Sequence, residues 1–510
     1  MREIWNLGSL RSTIERKRMA EEKTQTYING EEREKGLRYI LYDGIMSQIM
    51  VTLSGGAFII AFALLLGASN SIIGVLAAAP FLGNVFQIPA VLVVEKVRKR
   101  RLIAVVGSIM SRAWLLIFAL IPLLFQPFGL SILVMGIFLS AAFGAFSTCA
   151  WGSWMKDLVP DDIRGRHFSK RLSLSFALAI PLSLVAGRFI DFWRVQFFDY
   201  AAFGYSILFL VAFAFGMIGV VMLRATPEPL MEKSTGRISL KKIVSLPFKD
   251  ENFRKMLKFS TFWALAFNFA VPFFVVYMLK RIGLSLTSVI IFSVVSQLFY
   301  VLFLRIWGRL ADKFSNKSVM QVSGLLLLVS VIAWPFTTLP EIYFLTFPLL
   351  ALIHIFSGVA LAGVSIASFN IAFKLAPPGD ATKYLAVNGA MVSVGMGVGP
   401  ILGGLLADML ALMELSFTFR WLAPEKGWTA YLLNFRELDF LFFVAFVLGL
   451  YALHLLSLVH ERGEVPKGVV YQEFLGETRR MVRNISSVGG LSRLVYLPIY
   501  RRRTRKREKK

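Results

Sequence analysis

Few side chains in this sequence can do ionic or acid–base chemistry in an apolar setting, and their position within long apolar runs limits what that chemistry is. Arg112 stands ten residues into the run 102–125, about 15 Å along a helix and so near the middle of a bilayer. A guanidinium at that depth is costly to keep. It can face a cavity and bind an anionic group, pair with a carboxylate that titrates, or tie helices together through backbone carbonyls. His354 stands about eleven residues into the run 343–371, where an imidazole can couple movement to protons or sit hydrogen-bonded in a core. Asp43 opens the run 43–66 beside Gly44, as a proton site or as an acid at a helix N-terminus. The sequence has no phosphate-cradling Gly-x-x-x-x-Gly-Lys-Ser/Thr, no metal-spaced pair of Cys or His and no nucleophile–base set. It therefore implies no enzyme activity, no cofactor and no metal, and any work it does should draw on a gradient.

The elements that must position these residues follow from composition. With 510 residues, 56% of them hydrophobic and 14% aromatic, the chain is too apolar for a soluble domain. Runs of about 20 apolar residues read as membrane-spanning helices, and twelve occur: 43–66, 71–94, 102–125, 130–155, 170–190, 203–223, 258–279, 285–307, 317–338, 343–371, 384–411 and 438–458. The net charge of +25 is not spread evenly, since 48 of the 56 Lys and Arg lie in the termini and in the even-numbered connections or the run ends that border them. The positive-inside rule then places both termini in the cytoplasm of a cell-membrane protein. The charged segment 1–42 lacks the apolar core of a signal peptide and reads as retained. The single cysteine, Cys149, excludes an intrachain disulfide framework.

The two halves of the sequence repeat. Glu95 and Asp312, Pro160 and Pro377, Gly187 and Gly404, and Asp191 and Asp408 are each 217 residues apart. Two parallel six-helix halves, 43–223 and 258–458, follow, joined by a basic linker at 224–257 and ending in a basic tail at 459–510. The stretch Gly308-Arg309-Leu310-Ala311-Asp312-Lys313 with Lys317 resembles the signature loop of the major facilitator superfamily, which follows the second helix of a six-helix half. The first-half copy keeps Glu95 and Lys96 at the acidic and basic places, but Val91 stands where the family has Gly. The Pro-bearing turns beginning at Asp157 and Leu375 resemble a second family element. The resemblance covers roughly residues 38–462.

This resemblance implies an all-α polytopic membrane protein of twelve transmembrane helices, and a secondary transporter of a small organic solute working by alternating access. It further implies a conformational latch at Glu95, Lys96, Gly308, Arg309, Asp312 and Lys313, with Asp312 facing the start of span five near Lys170 and Arg171. Family members line the central path with spans one, four, seven and ten. Gln48, Thr148, Asn268, His354 and Asn370 therefore join Arg112 as substrate-binding candidates, and Asp43 and His354 are the proton-coupling candidates. Arg112 tilts the substrate toward an anionic group. Gly399, Pro400, Gly403 and Gly404 look like the glycine–proline motif of family antiporters, but in span eleven rather than span five. That position implies helix packing, not antiport. Asp191 and Asp408, at equivalent outer helix ends, suggest a structural pair.

Outside the spans, segment 411–437 carries Trp421, Trp428 and Tyr431, expected at the outer interface. In the tail, Val470, Phe474, Met481, Val482 and Ile485 share a helical face, which reads as an amphipathic element on the inner leaflet. The basic run 501–510 points to anionic lipid and not to nucleic acid. The expected partners are thus a small-molecule substrate and the bilayer, with the chain a monomer. Two rival readings stand beside transport: a sensor or scaffold that kept the fold, and a protein that moves or modifies lipid.

Overall fold

The computed structural model describes residues 29–231, 240–339, 341–377, 380–422, 428–461 and 463–486. Outside them lie most of the N-terminal segment, part of the linker and the basic run 501–510. The side chains of Trp428, Tyr431, Met481, Val482 and Ile485 are likewise not described.

The helices follow the apolar runs. Span one is α1 (Gly30–Ser54) and α2 (Gly56–Leu65). They are separated at Gly55, and the second begins at Gly56, whose φ of +54° lies in the left-handed region that glycine enters cheaply. Span two is α3 (Asn70–Gly83) and α4 (Gln87–Val97), followed by α5 (Arg100–Leu124), α6 (Gly129–Leu158), α7 (Asp161–Gln196) and α8 (Ala201–Ala225). After the short linker helix α9 (Leu240–Lys249) come α10 (Glu251–Val276), α11 (Leu286–Lys313), α12 (Asn316–Ile332), α13 (Thr346–Leu375) and α14 (Ala381–Met409). The chain closes with α15 (Leu438–Ser457) and a tail helix, α16 (Lys467–Ser486). Among the described residues eleven helices are long and apolar enough to cross a membrane. Span nine is shorter, because α12 has 17 residues and passes into a turn at Trp334–Thr337 containing Pro335.

One departure from an all-helical chain was not expected. Between spans eleven and twelve, β1 (Glu414–Trp421) pairs antiparallel with β2 (Trp428–Arg436), with a bulge after Phe417. The strict alternation Leu415-Ser-Phe-Thr-Phe-Arg-Trp421 is the sequence signal for it.

The chain forms two compact units. The first holds the described part of Met1–Ser239 with Phe267–Ile291 and Ser393–Leu412. Its helices meet through small and hydroxyl residues, the membrane substitute for a hydrophobic driving force. Ser108 bonds Ser147 at 2.7 Å and Ser111 bonds Ser140 at 3.0 Å, joining α5 to α6. At its basic end Arg100 is fully buried, donating to the Pro229 carbonyl at 2.8 Å and pairing with Asp157 at 2.5 Å, while its backbone N–H donates to Glu228. The start of the linker is thereby tied to the start of α5.

The second unit holds Leu240–Ala266, Phe292–Val392 and the described part of Met413–Lys510. Trp307 is fully buried, and its indole N–H donates to the Val359 carbonyl at 2.8 Å. The tail helix α16 packs here: Phe474 stacks on Trp307 with ring centroids 4.5 Å apart, and Val470 is fully buried. These two residues, expected against lipid, lie against the protein instead, because the Trp307 ring offers an aromatic face of matching size.

Candidate functional site

The first unit brings two of the sequence candidates together. Asp43 and Ser47 are four residues apart on α1 and so share a face, with the Ser47 hydroxyl donating to Asp43 at 3.1 Å. From α5, Arg112 donates to Ser47 Oγ at 2.9 Å and to the Gly216 carbonyl of α8, and stands 3.8 Å from Asp43. From α7, Arg171 reaches the other Asp43 oxygen at 3.5 Å, donates to the Ile40 carbonyl at 3.2 Å, and lies over the Trp151 ring. Asp43 and Arg112 are both buried.

Two glycines make room for this cluster. A Cβ on Gly44 would overlap the Arg171 guanidinium, and one on Gly219 would stand 3.1 Å from Arg112 Nη1 and 3.2 Å from Asp43. The spacing of Gly216 and Gly219 on one face of α8 was a readable signal that a large side chain packs there. Sequence reasoning missed it, along with the part played by Ser47 and Arg171, because it followed the path-lining helices of the resembling family.

With one carboxylate and two guanidiniums, the cluster carries one positive charge that none of these groups neutralises. At an effective dielectric near 20 each pair near 4 Å is worth about 4 kcal/mol before desolvation, and desolvation of buried ions can consume that gain. The arrangement therefore favours any further anion that reaches Arg112.

Such access exists. A cavity of about 610 Å³ in the same unit is lined by Arg112, with Ser54, Ser111, Ser140 and Asn268 as further polar groups. The rest of its wall is mainly apolar, including Met50, Phe81, Leu115, Phe118 and Pro272. Size and lining fit a small organic ligand held by apolar contact and oriented by a few polar groups.

Of the expected binding residues, Arg112 and Asn268 line this cavity. Gln48 bonds Thr52 at 3.3 Å along α1, and Thr148 is exposed. His354 and Asn370 belong to the second unit. The imidazole of His354 is buried, with Nδ1 2.8 Å from the Leu350 carbonyl and its ring stacked on Phe292 at 5.1 Å. These contacts support the core-imidazole reading. Among the described residues no group of His, Cys, Asp and Glu is placed to hold a metal ion.

The latch candidates have different surroundings. Glu95 and Lys96 end α4 and are exposed, and Arg98 closes that helix with a left-handed φ of 56°. At Gly308 an added Cβ would meet, among the described residues, only Ile366, at 3.9 Å, so no tight contact there depends on this glycine. Asp312 is exposed. Arg309 pairs with Glu477 at 2.7 Å and Lys313 with Glu473 at 2.9 Å, both on the tail helix.

The glycine–proline stretch of α14 makes backbone contacts. A Cβ on Gly403 would overlap the Phe269 carbonyl, one on Gly404 the Asn70 carbonyl, and the Pro400 carbonyl lies against Gly74. Pro400 also reaches the cavity wall. Asp408 accepts from the Asn70 and Ser71 N–H groups at 2.9 and 2.8 Å, capping α3, and Asp191 accepts from Leu286 and Thr287 at 2.9 and 2.8 Å, capping α11.

Comparison with known proteins gives a consistent picture. A family model described as Major Facilitator Superfamily matches residues 44–340 and 257–467. A stretch of 117 residues is 30% identical to the tetracycline resistance protein, class H, of Pasteurella multocida, covering 23% of this chain and 27% of that relative. The chain thus matches only about a quarter of that relative's length. Among solved structures, a point mutant of the nucleoside transporter NupG superposes with a TM-score of 0.62 and 14% identity over 83% of this chain and 100% of that one. A D-xylose-proton symporter gives 0.59 and 12% over 85% and 99%. A bacterial homologue of the human lysosomal transporter Spinster gives 0.54 and 14% over 76% and 84%. At these identities the structural likeness is one of fold.

Proposed function

Since the chain belongs to the Major Facilitator Superfamily and is a multi-pass membrane transporter rather than an enzyme, we propose that it moves a small organic solute bearing an anionic group through the cavity beside Arg112. The observation that carries this reading is the double role of Arg112, which lines the cavity while its other contacts tie it to Asp43, Ser47 and Gly216. A bound anion and the Asp43 carboxylate compete for the same guanidinium. A proton on Asp43 removes one competitor and strengthens the hold on the solute; its loss weakens that hold. Substrate movement is coupled to protons by that exchange, and two six-helix halves, 43–223 and 258–458, alternate in opening the site with both termini in the cytoplasm. Proton and solute held together move the same way, so an inward proton gradient drives uptake in this cycle; export, in keeping with a relative named for tetracycline resistance, would need the solute's own gradient.

The test is transport in proteoliposomes across a panel of organic anions, sugars and amphipathic cations, with and without a pH gradient. Selective accumulation of anions is expected, abolished in Arg112→Ala and restored in part in Arg112→Lys. Asp43→Asn should keep exchange of bound solute while losing drive by the pH gradient. Wild-type rates in a folded Arg112→Ala protein would remove the proposed site. The largely apolar cavity wall favours one rival, movement of lipid, and accumulation of solute in the vesicle lumen separates the two.

A further inference from the structure

The β-hairpin has no counterpart in the transport reading, yet its two faces are chemically distinct. On β1, Leu415, Phe417, Phe419 and Trp421 alternate to one side and are 55%, 68%, 49% and 55% exposed. The register places Leu415 directly across from Phe435, so both project to that same side. The other side is polar: Ser416 lies across from Asn434, and Glu414 pairs with Arg436 at 2.5 Å. A two-stranded hairpin with one such face is marginal in water on its own. Something must cover the row of large apolar side chains.

What covers it is indicated by continuity with α15. The Phe435 ring lies 5.9 Å from that of Phe440 and 6.2 Å from that of Phe443. Phe443 begins a stripe with Val447, Leu450 and Tyr451, spaced to share one helix face and 40–49% exposed. On a membrane-spanning helix an exposed apolar stripe faces hydrocarbon, and the hairpin's apolar side extends that stripe past the helix end. We propose that β1–β2 is a lipid-docking element, lying on the membrane with Leu415, Phe417 and Trp421 inserted into the leaflet opposite the basic connections. Depth is limited by the backbone: the outer edges of a two-stranded sheet need water for their N–H and C=O groups and cannot enter the hydrocarbon. The strands therefore rest at headgroup level, where aromatic rings are favoured, with Ser416 and the Glu414–Arg436 pair turned to water.

The experiment uses the full chain in phosphatidylcholine vesicles with the single native thiol removed by Cys149→Ala. An environment-sensitive fluorophore is attached at Phe417→Cys or, one residue away, at Ser416→Cys. The 417 label should be quenched several-fold more by lipid carrying a spin label high on the acyl chain than by one near its end, and shielded from aqueous iodide. The 416 label should show the reverse accessibility. Equal iodide quenching at both positions would place the hairpin in water and overturn the proposal. Shielding of the 417 label from both lipid and iodide, with crosslinking between copies, would overturn it in favour of a second copy of the chain as the occupant.

Discussion

The two halves of the sequence place polar groups at corresponding positions but give them different charge. Displaced by 217 positions, Asp43 and Arg171 fall on Ser260 and Asn388. In the first half these positions hold a carboxylate and a guanidinium 3.5 Å apart, and in the second a hydroxyl donating to an amide oxygen at 2.7 Å. Arg112 falls on Val329, which is 50% exposed. The helix contact is thus kept in both halves while the ions are confined to one. If ions were needed to hold spans one and five together, the second half would need them too. The anion site proposed at Arg112 would account for the buried charge of the first half.

Copying the second half into the first is the strongest way to break that argument. A triple variant, Asp43→Ser with Arg112→Val and Arg171→Asn, removes every ion of the cluster together, and replacing a buried ion group by neutral residues is often neutral or stabilising. Thermal unfolding should stay close to wild type while transport falls to background. Arg171→Asn alone behaves differently, because it takes one partner from a buried carboxylate, and a loss of about 3 kcal/mol is expected. A triple variant that unfolds while the single one does not would show the cluster to be structural.

The same comparison marks what could be read beforehand. The apolar runs were legible because each spans many residues and follows from bilayer thickness; eleven of the twelve are met by described helices long enough to cross a membrane. Arg112 and Asp43 could each be picked out, since a buried ion in an apolar run stands out. Their pairing could not, because it depends on how α1, α5, α7 and α8 are rotated, which Gly44, Gly216 and Gly219 help to decide. His354 drew attention for the same reason as Arg112, but an imidazole can be satisfied by one carbonyl and two ring faces, and here those are Leu350, Phe292 and Trp334. The hairpin was missed although its alternation is plain, because a search for spans passes over eight residues.

At the helix ends away from the basic connections the halves agree, and there the variants should agree as well. Asp191 and Asp408, 217 residues apart, each accept two backbone N–H bonds of 2.8 to 2.9 Å at a helix start. Losing a helix cap costs about 1 kcal/mol. Asp191→Ala and Asp408→Ala should lower stability by similar amounts, measured as shifts in thermal midpoint. A large effect from one and none from the other would mean that the two caps share geometry but not role.

The smallest effect concerns the basic end of each half. Arg100 falls on Lys317 at the same displacement. Glu228 accepts from the Arg100 N–H, as buried Glu461 accepts from the Lys317 N–H at 2.6 Å, so each half is closed by an acid from the chain that follows it. Only the second half adds the tail helix, where the hydrogen bond and charge of Lys313 hold the Glu473 carboxyl below its ordinary value of about 4.5. A carboxyl depressed in the docked state stabilises docking above its ordinary value and loses that contribution as the pH falls through the depressed one. Protease cleavage near α16 should accelerate modestly as the pH drops below about 4.5, and Glu473→Gln should remove that acid dependence while Phe474, on Trp307, keeps the helix in place. An acid response unchanged in Glu473→Gln would assign it to another carboxylate, with Glu477 beside Arg309 and Arg480 the next to substitute.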